Sequence, residues 1–253
     1  MEPAEPSEIE RPRSLAQIIG EALDIYQRFP LLFLTLALGV IAPYELIVLA
    51  ATGAGPLAST AHQNVGVTYL VLLIRTALVG PLISALHMHA VLLIGERATP
   101  RLGQVALRGL RVLPVVAAAA IIAALGIGLG FLALIVPGVI LLLRWVVVAQ
   151  VAAVENEGWQ PALARSRELT RGHYRHIAAL IVVTGLLAVG VEGGVRVIPL
   201  GATSGVASVA LGIAARTVTA SFSALTLALL YFDLRARHSP AAPREQPQLR
   251  DLD

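Results

Sequence analysis

Three observations predict an all-α polytopic membrane bundle with six transmembrane helices. The 253 residues are 57% hydrophobic and only 14% charged, whereas a soluble domain of this size carries about 25% charged residues. Six apolar runs approach or exceed the roughly 20 residues that one helix needs to cross a bilayer. The arginines gather in alternate connections between those runs, as the positive-inside rule requires of a multi-pass chain.

The runs are 31–51, 67–94, 113–136, 138–154, 177–195 and 205–232. The stretch 113–154 contains one charged side chain, Arg144, and a Pro137-Gly138 break near its middle, so it reads as two spans folded back at that break. Run 67–94 is longer than a bilayer needs and should tilt or continue past the interface as helix. Fifteen arginines lie before the first run, between the second and third, between the fourth and fifth, and after the sixth. The opposite connections hold Arg196 alone, which predicts that both termini are cytoplasmic. Tyr231, followed by Arg235 and Arg237, suits an interfacial anchor at the inner surface.

Three amphipathic segments are expected on the cytoplasmic side. In 14–29, Leu15, Ile18, Ile19, Ala22, Leu23 and Tyr26 recur at three- and four-residue spacing, opposite Gln17, Glu21, Asp24 and Gln27, with Ser14 as the N-cap. Segments 101–113 and 160–174 repeat the arrangement before the third and fifth spans. Each segment precedes a two-span hairpin, which suggests three repeated units, 14–94, 101–154 and 160–232. Residues 1–13 and 237–253 are expected to be disordered tails around a membrane domain at 14–236, and the polar start lacks the basic-then-apolar order of a signal peptide.

Composition narrows the chemistry. No cysteine is present, which removes disulfides, thiolate metal sites and cysteine nucleophiles. All 19 basic residues are arginine, read here as the bias of a GC-rich bacterial genome, and the net charge of +3 reflects topology better than nucleic-acid binding. His87 and His89 point about 200° apart on a helix, and His173 and His176 stand among Arg171 and Arg175, so neither pair is expected to hold a metal. Gly126, Gly128 and Gly130 make no phosphate-binding fingerprint, because no strand precedes them and no Lys-Ser/Thr follows. Gly126 with Gly130, and Gly190 with Gly194, instead fit close helix packing. No cofactor motif and no serine, histidine and carboxylate set is legible, so an enzyme is not expected.

Glu45, Arg75, Arg144, Glu192 and Arg216 fall within or near predicted spans, where a central charge costs roughly 2.5 to 3.5 kcal/mol on insertion scales. They are expected to form one buried polar layer in the outer half of the membrane. Pairing of Glu45 with Arg75 and of Glu192 with Arg216 would leave Arg144 for backbone carbonyls or an anion, and give the layer a formal charge of +1.

Three segments are similar to a bacterial family of multi-pass proteins typified by the membrane domain of glycerophosphoryl diester phosphodiesterase. They are LAQIIGEALDIYQRFP at 15–30, IVPGVILLLRWVVVAQVAAVE at 135–155 and ALARSRELTRGH at 162–173, and the late YFDLRAR also resembles that family's tail. The resemblance implies a six-span inner-membrane protein. Hydrolysis in that family belongs to a separate barrel domain, and no such domain is expected in this chain. The leading expectation is therefore a non-enzymatic membrane scaffold or accessory factor that contacts the lipid bilayer, its anionic headgroups or a protein partner in the membrane. The alternative is a small permease for an anionic solute. A permease needs a cavity reaching the charge layer, whereas a scaffold needs that layer fully paired and closed.

Overall fold

A computed structural model describes residues 11–56, 64–96, 100–197 and 205–238, and within them the chain is helical, with no strand. In order, the helices are α1 (Leu15–Arg28), α2 (Pro30–Thr52), α3 (Val65–Ile74), α4 (Gly80–Gly95), α5 (Leu102–Ala133), α6 (Ile135–Trp145), α7 (Val148–Glu155), α8 (Trp159–Thr170), α9 (Tyr174–Val197) and α10 (Val206–His238). A π-helical turn over Arg75–Val79 joins α3 to α4. Six helical units are long and apolar enough to cross a membrane, so the polytopic helical membrane fold stands. Arg97, Arg244 and Arg250 of the arginine asymmetry lie outside the described residues.

Helix α10 forms the centre. It packs against α1, α2, α4 and α9, and 61% of its apolar stretch is buried, against 11% for α9 at the periphery. The core runs from Ile18 and Ala22 of α1 through Phe33, Met88, Val116 and Val151 to Leu225, Leu229 and Tyr231 of α10. Outward faces carry Ile47, Leu70, Leu132, Leu186 and Val189, all exposed in the isolated chain. An apolar belt of this kind is a liability in water and the normal contact surface in lipid, where every backbone polar group is satisfied within a helix. Inside the bundle, Thr217, Thr219 and Thr226 donate to the carbonyls four residues earlier, so α10 buries hydroxyls without orphaning them.

Local chemistry sets the element ends. Ser14 caps α1 as expected: its Oγ accepts from the Gln17 N–H at 3.3 Å, and the Gln17 side chain accepts from the Ser14 N–H at 2.8 Å. The expected second amphipathic segment is not a separate helix. Residues 102–113 are the first turns of the 32-residue α5, because Pro114 is accommodated within the helix and no cap interrupts it.

The α5–α6 corner also differs from expectation. The extended residue is Leu134, with φ −164° and ψ 152°, while Pro137 and Gly138 lie inside the first turn of α6. Proline fits there because the first N–H groups of a helix have no intrahelical acceptor in any case. The reversal is tight because small residues meet: a Cβ on Gly130 would stand 3.0 Å from the Gly138 Cα, and one on Gly126 would stand 2.5 Å from the Trp145 ring. Around Gly190 and Gly194, by contrast, no atom of the described residues comes within 4 Å of a Cβ. Gly130→Val is expected to push α6 away from α5 and to destabilise the protein by about 1–3 kcal/mol, because the opposing group is backbone and cannot rotate away. Thermal unfolding in detergent checks it, with Gly190→Val as the variant expected to change little.

The fourth span is not one straight helix. It breaks at Val146–Val147, and α7 then turns into the interior, with six of its eight residues buried. The carbonyl of Arg144, freed at the end of α6, accepts from Ser166 Oγ at 2.9 Å and from Thr170 Oγ1 at 3.3 Å of α8. The weakly apolar face of α8 thus caps a break in its neighbouring span.

Long-range contacts gather the arginine-rich connections at one end of the bundle. Arg13, 2% exposed, donates its backbone N–H to Asp233 of α10 at 2.5 Å and its guanidinium to Glu21 of α1 at 2.6 and 3.0 Å. Arg237 bonds both Asp233 oxygens at 3.0 Å and the Arg13 carbonyl at 2.6 Å. Arg13 is therefore anchored rather than part of a free tail. Residues 1–10 and 239–253 lie outside the described residues.

Candidate functional site

Proline 81 shapes the centre of the bundle. Having no N–H, it cannot bond the carbonyl four residues back, and its ring crowds that position, so the turn ahead of it widens. Gly80 accordingly donates to the Arg75 carbonyl, five residues earlier, through the π turn. Arg75, Thr76, Val79, Gly80 and Pro81 all line one cavity of about 430 Å³ between α2, α4, α5, α7 and α10. Its α5 wall is Ala120, Ala123, Ala124 and Ile127, and the three alanines are too short to fill the space beside the π turn.

One end of the cavity is charged. The Arg216 guanidinium of α10 donates to the Glu45 carboxylate of α2 through Nη1 and to the Pro56 carbonyl through Nη2, the latter at 2.8 Å. Its Nε stands 3.9 Å from Glu192 Oε2 of α9, and Arg75 Nη2 stands 3.8 Å from Glu192 Oε1. The order is Glu45, Arg216, Glu192, Arg75. Four of the five charges read from the sequence therefore meet: the expected contact of Glu192 with Arg216 is present, while Glu45 takes Arg216 in place of Arg75, which reaches Glu192 instead. Glu45 of α2 meets Arg216 of α10, and Arg75 of the π turn meets Glu192 of α9.

The fifth does not join them. Arg144 lines a different pocket with Glu155 and Tyr174, the first residue of α9. Glu192 lies 18 residues farther along α9, about 27 Å at 1.5 Å per residue. The central cluster consequently holds two carboxylates and two guanidinium groups, a formal charge of zero rather than +1. The expected single layer was an error of depth: Arg144 stands in the last turn of α6, beside the pocket lined by α8 and the start of α9.

Away from the charges, the lining is mostly apolar, with Tyr44, Thr76, Ser84, Trp145, Gln150 and Ser223 as its polar members. Gln150 is 1% exposed, and neither its Oε1 nor its Nε2 has a hydrogen-bond partner in the protein. Burying an unpaired amide costs roughly 1–3 kcal/mol, and this one borders the cavity with both of its polar atoms unpaired and closed to solvent. Sequence reasoning passed over it, although it is the only amide in the apolar run 113–154. That isolation was the available signal.

His87 has a structural role. His87 is fully buried, with Nδ1 2.8 Å from the Ile83 carbonyl and Nε2 2.8 Å from Ser221 Oγ, so a neutral ring donates to the first and accepts from the second. Among the described residues no group of three or more histidines and carboxylates is placed to hold a metal ion. Arrangements that combine an ion-pair chain, an apolar chamber and a free amide can bind a molecule with both polar and apolar parts, which is the usual composition of a small-molecule site. No family model matches the sequence, and no curated protein or solved structure matches it either.

Proposed function

We propose that this protein binds a small neutral or zwitterionic amphiphile within the membrane and acts as its permease or carrier. The observation that carries the reading is the 430 Å³ cavity joining the Glu45–Arg216–Arg75 end to the unpaired amide of Gln150. A volume of this size lies within the range of small-ligand pockets. The charge balance of the cluster argues against an anionic solute, because the arginines already face two carboxylates. An occupant's polar group can exchange with those pairs while its apolar body lies along the alanine wall.

The proposal includes a bacterial inner membrane with the arginine-rich end in the cytoplasm, supported by the distribution of arginines. It includes binding rather than catalysis, and membership of the phosphodiesterase membrane-domain family on the three segments quoted above. The scaffold reading draws on one specific observation, the completed chain of ion pairs across α2, α9, α10 and the π turn.

A short-chain octyl betaine is a suitable probe for protein reconstituted in nanodiscs. Gln150→Leu is expected to weaken its binding about tenfold, the equivalent of about 1.4 kcal/mol. Ala123→Phe, which fills the chamber, is expected to abolish binding and flux into liposomes. Monodisperse variants that bind and transport as well as the parent would refute the carrier reading and leave the scaffold.

A further inference from the structure

Helix α8 and the break between α6 and α7 enclose a second pocket, of about 650 Å³, at the arginine-rich end. Its charged lining is Arg144, Arg165, Arg167 and Arg171 with Glu155, Glu157 and Glu168. Arg165 occupies two of the carboxylates: its Nη1 bonds Glu168 at 2.9 Å, and its Nε stands 3.6 Å from Glu155. The hydrogen bond to Glu168 comes first in holding the Arg165 guanidinium charged, raising its pKa above the ordinary value. Glu155 is engaged a second time, accepting from the Tyr231 hydroxyl at 3.3 Å.

The other three arginines are left without carboxylates. Among the described residues, Arg144, Arg167 and Arg171 make no ion pair. Arg144 is the unusual one, because its Nε is fully buried and bonds nothing in the protein, although a buried donor of a charged group is costly to leave open. Its backbone is held by Ser166 and Thr170 of α8, so the side chain that carries the unpaired donor is fixed at its root by the same helix that contributes Arg167. Guanidinium groups arranged around one concavity match the tetrahedral oxygens of a phosphate, which accepts paired hydrogen bonds from each fork.

We infer that this pocket is a phosphate-binding site, with Arg144 as its inner donor and Arg167 and Arg171 at its mouth. The ligand chemistry is a phosphate ester or phosphate anion, supplied either by an anionic phospholipid headgroup of the adjoining leaflet or by a soluble phosphate compound. The site is separate from the central cavity and does not depend on what that cavity binds.

Two arms distinguish the sources. The protein is placed in phosphatidylcholine nanodiscs. One arm adds phosphatidylglycerol to the disc and counts retained lipid by native mass spectrometry; the other titrates inorganic phosphate and glycerol phosphate and follows thermal stability. Binding in the first arm alone identifies a headgroup, and binding in the second identifies a soluble ligand. In whichever arm binds, Arg167→Gln with Arg171→Gln is expected to weaken affinity at least tenfold, and Arg144→Gln to do the same. The double variant removes exposed side chains and so keeps the test open if Arg144→Gln fails to fold. Arg101→Gln with Arg111→Gln removes the same charge from exposed positions outside the pocket and is expected to change affinity less than twofold. No binding in either arm, or equal weakening by the two double variants, overturns the inference.

Discussion

Arg216→Leu is expected to destabilise the protein by about 3–5 kcal/mol, since it strands a carboxylate that the fold has removed from its surroundings. Glu45 is only 3% exposed, and Arg216 is its ion-pair partner. The substitution also frees the Pro56 carbonyl, which Arg216 holds at 2.8 Å beyond the end of α2. Removing both charges is a different experiment. Glu45→Gln with Arg216→Gln leaves Glu192 opposite Arg75 and exposes no lone ion, so most of the lost stability is expected to return. Thermal unfolding in one detergent, run as a double-mutant cycle, measures the difference. A single variant as stable as the parent would show that Glu45 and Arg216 are not coupled.

The second large effect is expected at Asp233, at the opposite end of α10. This carboxylate is fully buried, accepts from the Arg13 N–H and both bonds from Arg237, and stands 3.3 Å from His176 Nε2. Asp233→Leu leaves the Arg237 guanidinium and a backbone donor unpaired together, with an expected loss of about 3–5 kcal/mol. Asp233→Asn keeps one acceptor oxygen and should lose less. The local readout is cleavage by trypsin after Arg13, which is expected to accelerate in the leucine variant as the chain ahead of α1 detaches. If Asp233→Leu melts within a degree of the parent and Arg13 stays protected, the network contributes nothing.

Both predictions concern partners far apart in sequence, 171 residues for Glu45 and Arg216 and 220 for Arg13 and Asp233. That separation marks the boundary of what could be read without coordinates. The pair Asp233 and Arg237 is visible as an (i, i+4) spacing on one helix, and the Ser14 cap is visible from its neighbours. Arg13 carries no such local mark. In the central cluster, the residues were legible as charges in apolar runs and the contact of Glu192 with Arg216 was anticipated; only the partner of Glu45 was misassigned. Gln150 was overlooked because an uncharged amide raises a weaker alarm than an ion, although once buried it is just as conspicuous.

The amino-acid pattern alone determined that six apolar stretches become helices, that Ser14 starts the amphipathic helix ahead of them, and that the arginines fall on one side of the alternation. Each follows from interactions within a few residues or from transfer into lipid, both properties of the chain read in order. The tertiary structure decided which carboxylate meets which arginine, that Arg144 belongs to another pocket, and that a cavity remains beside Gln150. Those outcomes depend on how far each helix is rotated and where it bends. Every residue turns a side chain by about 100°, so the added width of one π turn before Pro81, or one break after Trp145, redirects all that follow it. No apolar count can register such a rotation, because composition is unchanged by it.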